Sequence, residues 1–149
     1  MRLVRRLFSI SSREWADLFS AQRSLLRAEW RMRSRPKGAL LDRWSSANAE
    51  AHSVAQTDVA RALEIGKAVR RVAFHAVPRS QCLVRSLAIC EMLEHENIRG
   101  AIVRIGVQPR RSELEAHAWV ELGGTIIGDT PEHVGNFAPL ATAQGAFDR

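Results

Sequence analysis

The chain has 149 residues, 46% hydrophobic and 26% charged, and 22 Lys and Arg against 16 Asp and Glu give it a net charge of +6. That length fits one domain with an ordinary core, and the apolar fraction excludes wholesale disorder. No apolar run approaches the ~20 residues a membrane span needs, and no signal peptide is evident, so the expectation is a cytoplasmic protein without a membrane span. The positive excess is local: residues 1–37 hold ten of the basic and three of the acidic residues, a sum of +7, while the remainder sums to −1.

Residues 1–10 mix Arg2, Arg5 and Arg6 with Leu3, Val4, Leu7 and Phe8. Such a segment can lie on a membrane surface, but packing as a first helix is the preferred reading. Ser12 is placed to cap a helix running to about Arg33. Trp15, Leu18/Phe19, Gln22, Leu25/Leu26 and Trp30 would form its buried face, and Pro36, Lys37 and Gly38 would end it. A nucleic-acid groove interleaves aromatics or loops with basic residues. These tryptophans read as core instead, so no nucleic-acid partner is expected. Arg23, Arg27 and Arg31, on the other faces, form a basic surface suited to a negatively charged partner.

Residues 39–55, with Ser45, Ser46, Ala47 and Asn48 in the middle, read as a short helix and a connection. A second long helix is expected from Thr57 or Asp58 to about His75, burying Val59, Leu63, Gly66, Val69/Val72 and Ala73. His75 falls at its C-terminal end, where a cation suits the helix dipole.

Residues 80–96 carry the first chemical signal. Ser80 follows Pro78 and is well placed as an N-cap. Leu83, Leu87, Cys90 and Leu93/Met92 then recur at the spacing of a helix that buries one face. Cys82 falls in the first turn, where unpaired backbone N–H groups and the positive end of the macrodipole favour a thiolate. A cysteine there is a nucleophile position, although a free cysteine is more often a small buried hydrophobe. Cys90 lies eight residues on, a rise of ~12 Å, beyond the ~7 Å reach of a disulfide. Two thiols that cannot pair fit a reducing compartment. Two cysteines and five scattered histidines give no zinc-type spacing, so neither a metal nor a cofactor is expected.

After Asn97 to Gly100 close the turn, residues 101–107 read as a strand with Ala101, Val103, Ile105 and Val107 on one face. Residues 109–113 read as a polar loop, and residues 114–122 alternate as a second strand with His117 at its middle. Gly123 and Gly124 make a turn, and residues 125–129 return as a third strand ending in Asp129. The expected fold is α+β: N-terminal helices and a cysteine-bearing helix packed on a small antiparallel sheet. Beyond Asp129, Pro131 and Pro139 break regular structure, and 136–149 is expected to be loop.

The hairpin register decides where Asp129 points. A two-residue Gly123-Gly124 turn pairs Leu122 with Thr125 and sets the carboxylate on the apolar face of Ala118, Val120 and Leu122. A three-residue loop pairs Leu122 with Ile126 and brings Asp129 diagonally beside His117. The second register is preferred. Nucleophile, base and orienting acid would then be Cys82, His117 and Asp129. Glu121, on the same strand face as His117, is the substitute acid, and His133 a remote substitute base. His52 and His95 have no supporting context.

The order of Cys on a helix, His on a strand and Asp on the next resembles the transglutaminase-like branch of the papain-type fold. A narrower resemblance rests on Cys82-Leu83-Val84-Arg85-Ser86-Leu87-Ala88, on Gly100-Ala101 followed by Arg104-Ile105-Gly106-Val107, and on Ala116-His117-Ala118-Trp119-Val120-Glu121. These blocks, across roughly residues 55–135, are similar to the lasso peptide biosynthesis B proteins. The resemblance implies a leader peptidase that cuts the leader from a lasso precursor. It would work with a leader-recognition (B1-type) protein and a separate ATP-dependent lasso cyclase. With no room for a leader-recognition domain before the helices, the chain resembles the free-standing form called B2. It would be a single transglutaminase-like protease domain over 1–149, with a helical extension at 1–55 and a catalytic core at 56–135. Gln81, Arg85 and Trp119 are the candidates for meeting the oxyanion or the substrate. Another acyl-transfer enzyme of this fold, or a binding module without the chemistry, is the alternative.

Overall fold

The computed structural model describes residues 11–34, 54–75, 81–111 and 113–140. The expectations for residues 1–10, for 36–38, for 39–53 and for Ser80 lie outside these, as does most of the expected C-terminal loop. Three long helices come first: α1 (Ser12–Ser34), α2 (Gln56–His75) and α3 (Cys82–His95). Strands β1 (Ala101–Arg110), β2 (Glu113–Leu122) and β3 (Thr125–Ile127) follow, then a one-turn helix α4 (Pro131–Val134) and a short β4 (Ala138–Pro139). The sheet is ordered β3-β2-β1-β4 and every pairing is antiparallel. The fold is therefore α+β.

Of the three long helices only α1 starts on a capping side chain, one residue from the expected one, while α2 begins at Gln56 behind Ala55 and not at a Thr57 or Asp58 cap. Ser11, not Ser12, caps α1: the Glu14 N–H donates to Ser11 Oγ at 3.2 Å and the Ser11 N–H donates to Glu14 Oε2 at 2.9 Å. This is a reciprocal capping box. At α3 the cap position belongs to Gln81, whose side chain makes no capping hydrogen bond.

The α1 face differs from the expected one. It buries Asp17, Ala21, Ser24, Leu25 and Ala28, while Phe19, Leu26 and Trp30 are more than 60% exposed and Trp15 is 39% exposed. Small residues let α1 approach α2 and α3 closely, so the large apolar side chains fall on the outer side. On α2, Leu63 is likewise exposed, and Ala62, Ile65, Gly66, Ala68, Val69 and Ala73 form the buried side. Helix α3 is the centre of the molecule. It is covered by α1 and α2 and lies on β1 and β2, so Val84, Ser86, Leu87, Ala88, Ile89, Cys90, Met92 and Leu93 are all buried. That is why its apolar positions run past a single face. Each large side chain fully buried there, such as Leu93, contributes about 1.5–3 kcal/mol.

Strand β2 separates two cores. Ala118, Val120 and Leu122 join the large one under the helices, and Trp119 packs with Val134, Phe137 and Ile126 in a small one. Strands β1 and β2 pair along their whole length, from Ala101↔Leu122 to Arg110↔Glu113. The expected polar loop at 109–113 is thus mostly strand. Pro109 is tolerated because β4 pairs β1 only at Gly106 and Val107, leaving that edge of β1 free where proline lacks its N–H.

The hairpin register corrects the preferred reading. Leu122 pairs with Thr125, Glu121 with Ile126 and Val120 with Ile127, which is the two-residue turn. Gly123 and Gly124, with φ of +56° and +79°, both take the left-handed conformation such a turn requires. Pro131 and Pro139 also depart from the expectation. Pro131 opens α4 behind the N-cap Thr130, a position where its missing N–H costs nothing, and Pro139 pairs with Gly106 in β4.

Candidate active site

Strand alternation alone would send Asp129 to the wrong side, yet it meets His117. Pairing stops at Ile127, and Gly128 at φ +78° turns the chain out of the strand. Asp129 therefore does not inherit the alternation of β3. Its Oδ2 lies 2.6 Å from His117 Nε2. With the carboxylate as acceptor and the imidazole neutral, the ring proton is placed on Nε2 and the lone pair is left on Nδ1. The Thr130 N–H donates to the other carboxylate oxygen at 2.8 Å, which fixes the acid at the start of α4.

His117 is 7% exposed, and rings enclose it. Trp119 stacks at a centroid distance of 6.2 Å, Phe137 lies at 4.9 Å, and His133 meets it edge-on at 4.7 Å. His133 is set by α4, where its backbone N–H donates to Thr130 Oγ1. In the sequence His133 has only a remote role and no pattern marks Phe137. Thr130 followed by Pro131 is the signal for the short helix that positions both. His117, Asp129 and His133 present metal-ligating atoms within 4.8 Å of one another. Two of these three donors are committed to each other by the 2.6 Å contact.

Cys82 is the first residue of α3 and is partly exposed. Its backbone N–H is among the unpaired donors at that helix start, and its carbonyl accepts a hydrogen bond from Ser86 Oγ at 3.1 Å. The side chain packs against the large core under the helices and makes no hydrogen bond to His117 among the described residues. Nucleophile-to-base contacts are often long before substrate binds. His117 and Asp129 are thus joined directly, His117 on the face of β2 that carries Trp119 and meets Phe137, whereas Cys82 heads the helix packed on the opposite face, that of Ala118, Val120 and Leu122.

The remaining candidates divide. Gln81 is exposed beside Cys82, and Arg85 is half-buried one turn along α3. Trp119 is buried and donates its indole N–H to Glu121 Oε1 at 2.9 Å. The other oxygen of Glu121 accepts from Arg104 Nε at 3.1 Å. Glu121 is thereby engaged away from His117, and Asp129 is the acid on the histidine. Burial pushes the Cys90 thiol well above its ordinary range, so it remains protonated and inert at neutral pH.

The chain belongs to the transglutaminase-like superfamily, whose family model matches residues 23–142. Members of this superfamily are commonly cysteine peptidases or acyltransferases. No curated protein and no solved structure matches the chain. Among the described residues no helix is long and apolar enough to cross a membrane.

Proposed function

We propose that the protein is a cysteine peptidase that removes the leader from a lasso peptide precursor, acting with a separate leader-recognition protein and ahead of an ATP-dependent cyclase. The observation that carries the chemistry is the 2.6 Å contact between His117 Nε2 and Asp129 Oδ2, in a chain whose Cys82 heads a helix packed on the same sheet. The lasso assignment rests on the sequence blocks around Cys82, Arg104 and His117.

In this reading Nδ1 of His117, left free by Asp129, takes the thiol proton. The thiolate of Cys82 attacks the scissile carbonyl, and a C–S bond forms as the C–N bond breaks. His117 returns the proton to the leaving amine. The backbone N–H of Cys82 meets the oxyanion, with the Gln81 amide the side-chain candidate. Water, deprotonated by His117, then cleaves the thioester and releases the leader acid. Asp129 holds the ring throughout and stabilises the imidazolium.

The test is incubation of the chain with precursor peptide and its recognition protein, read by mass spectrometry. Release of leader and core without an added amine supports the peptidase. Products that appear only with an amine acceptor assign acyl transfer instead, and no product from either, with an unreactive Cys82, assigns a binding module.

A further inference from the structure

We infer that the groove between the C-terminal half of α2 and the start of α3 binds an acidic side chain of the peptide presented to Cys82. This rests on the peptidase reading and adds a specificity site to it. The groove encloses about 750 Å³, and Lys67, Arg70, Arg71, Phe74 and His75 of α2 line it together with Arg85 of α3. Lys67, Arg70, Arg71 and Phe74 stand at i, i+3, i+4 and i+7, one face of a helix. Arg85 approaches from the other side, a single turn from Cys82, or ~4.5 Å of rise. Arg85 thus sets one wall of the groove a single helical turn from the nucleophile.

Two observations make it more than a solvated face. The first is the absence of counter-charge. Several other helix arginines are matched: Arg27 and Arg31 share Glu91, and Arg61 is held by Asp17, Glu64 and Glu96. Among the described residues no carboxylate forms an ion pair with Lys67, Arg70, Arg71 or Arg85, and all four line this cavity; Lys67 and Arg71 also border a neighbouring one with Glu14, Asp17 and Glu64. Like charges at this spacing repel, and an incoming carboxylate relieves that repulsion. The second is Phe74, which is 77% exposed on the same face with the His75 ring against it. An aromatic beside arginines suits a peptide, whose backbone and side-chain carbons cover the ring while its carboxylate meets the guanidinium groups.

The test uses the full chain and two labelled peptides of equal length, poly-glutamate and poly-glutamine, with binding read by fluorescence anisotropy at low salt. Poly-glutamate is expected to bind about tenfold more tightly than poly-glutamine, and Lys67→Gln/Arg70→Gln/Arg71→Gln to abolish the difference. Poly-glutamate is also expected to slow alkylation of Cys82 by iodoacetamide. Equal binding of the two peptides, an unchanged preference in the triple variant, or absent protection of Cys82 each overturns the inference. Tighter binding of an oligonucleotide or of anionic lipid vesicles, lost in the same variant, overturns it in favour of that ligand. A chain that binds poly-glutamate here but cleaves no precursor overturns the peptidase reading and keeps the groove. One that cleaves through Cys82 without preferring poly-glutamate does the reverse.

Discussion

Gly66 of α2 and Gly128, the residue that follows β3, meet backbone to backbone. A Cβ on Gly66 would lie 2.6 Å from the Gly128 nitrogen and 2.9 Å from its Cα. A Cβ on Gly128 would collide with Ile89 Cδ1 of α3, at a φ of +78° that side chains rarely adopt. Both helices thus press on the point where the chain leaves the sheet, and that departure delivers Asp129 to His117.

Gly66→Ala should therefore destabilise the protein by about 1–3 kcal/mol, because its clash is with backbone that cannot rotate away. Gly128→Ala should cost at least about 1 kcal/mol from its φ alone. Thermal unfolding reads both, and both variants should lose cleavage activity beyond their loss of folded protein as Asp129 shifts. An unchanged Tm in Gly66→Ala would mean that the two segments do not touch.

The two thiols should behave as different chemicals. Cys82 is partly exposed at a helix start and Cys90 is fully buried with its pKa raised by desolvation. Iodoacetamide at pH 8 should label Cys82 and leave Cys90 untouched until the chain unfolds. Cys82→Ala should abolish cleavage, a loss of several orders of magnitude, with the fold intact; Cys90→Ala should retain activity. The raised pKa also fixes a sign. The contribution of Cys90 to stability is complete below its ordinary value of 9.0 and is lost as pH rises above it, because the unfolded chain ionises first. The fall in Tm above pH 9 should be shallower in Cys90→Ala.

Asp129 and Glu121 are separable by substitution. Asp129→Asn keeps the shape but presents an amide to Nε2, which favours the wrong tautomer, and turnover should drop by up to about 10⁴. Glu121→Gln loosens Arg104 and Trp119 and should change turnover only a few-fold. Steady-state kinetics on the precursor checks both. A larger effect from Glu121→Gln would move the orienting role to that residue.

What was legible in the sequence was whatever local pattern controls. Every expected cap was displaced by at least one residue, but helical periodicity and strand alternation located the three long helices and the β1–β2–β3 order. They failed where tertiary contact overrides the pattern. The aromatic stripe Trp15, Phe19, Leu26 and Trp30 reads as core by hydrophobicity, but close helix packing selected Ala21, Ser24 and Ala28 instead. A three-residue loop brings Asp129 to His117 only if strand alternation runs unbroken to Asp129. Gly128 breaks it, so the His117–Asp129 contact forms in the register that had been set aside. The enclosure of His117 by His133 and Phe137 depends on α4, a helix too short to show periodicity.

Arg61 ties the helices together from the inside. Its guanidinium donates to Asp17 at 2.6 and 2.7 Å and to Glu96 at 2.5 and 2.7 Å, and these acids hold it protonated far above its ordinary range. Arg61→Met leaves the buried carboxylate of Asp17 without a partner and should cost about 3 kcal/mol. Adding Asp17→Leu should recover most of that loss, since a matched apolar pair requires no desolvated charge. Urea unfolding of the single and double variants checks this; equal stability of the two would show that Asp17 does not depend on Arg61.

The arginines of α1 do not form one uniform basic surface. Arg27 and Arg31 reach Glu91 of α3 at 3.0 and 3.2 Å, whereas Arg23 makes no ion pair among the described residues and lines a cavity with Glu94, His95 and Arg99. Reversing the first two should act on stability. Arg27→Glu/Arg31→Glu sets three like charges together across the α1–α3 contact, and since both arginines are about half exposed the cost should stay near ~1 kcal/mol. A further Glu91→Lys should restore Tm by swapping the charges, and salt should shrink the deficit of the double variant. Arg23→Glu should leave Tm unchanged. If a negatively charged recognition protein docks on this helix, the same substitution should raise the apparent KM for the partner-bound precursor without altering alkylation of Cys82. An unaltered KM in Arg23→Glu, alongside a restored Tm in the swapped triple variant, would confine the role of these arginines to holding α1 on α3.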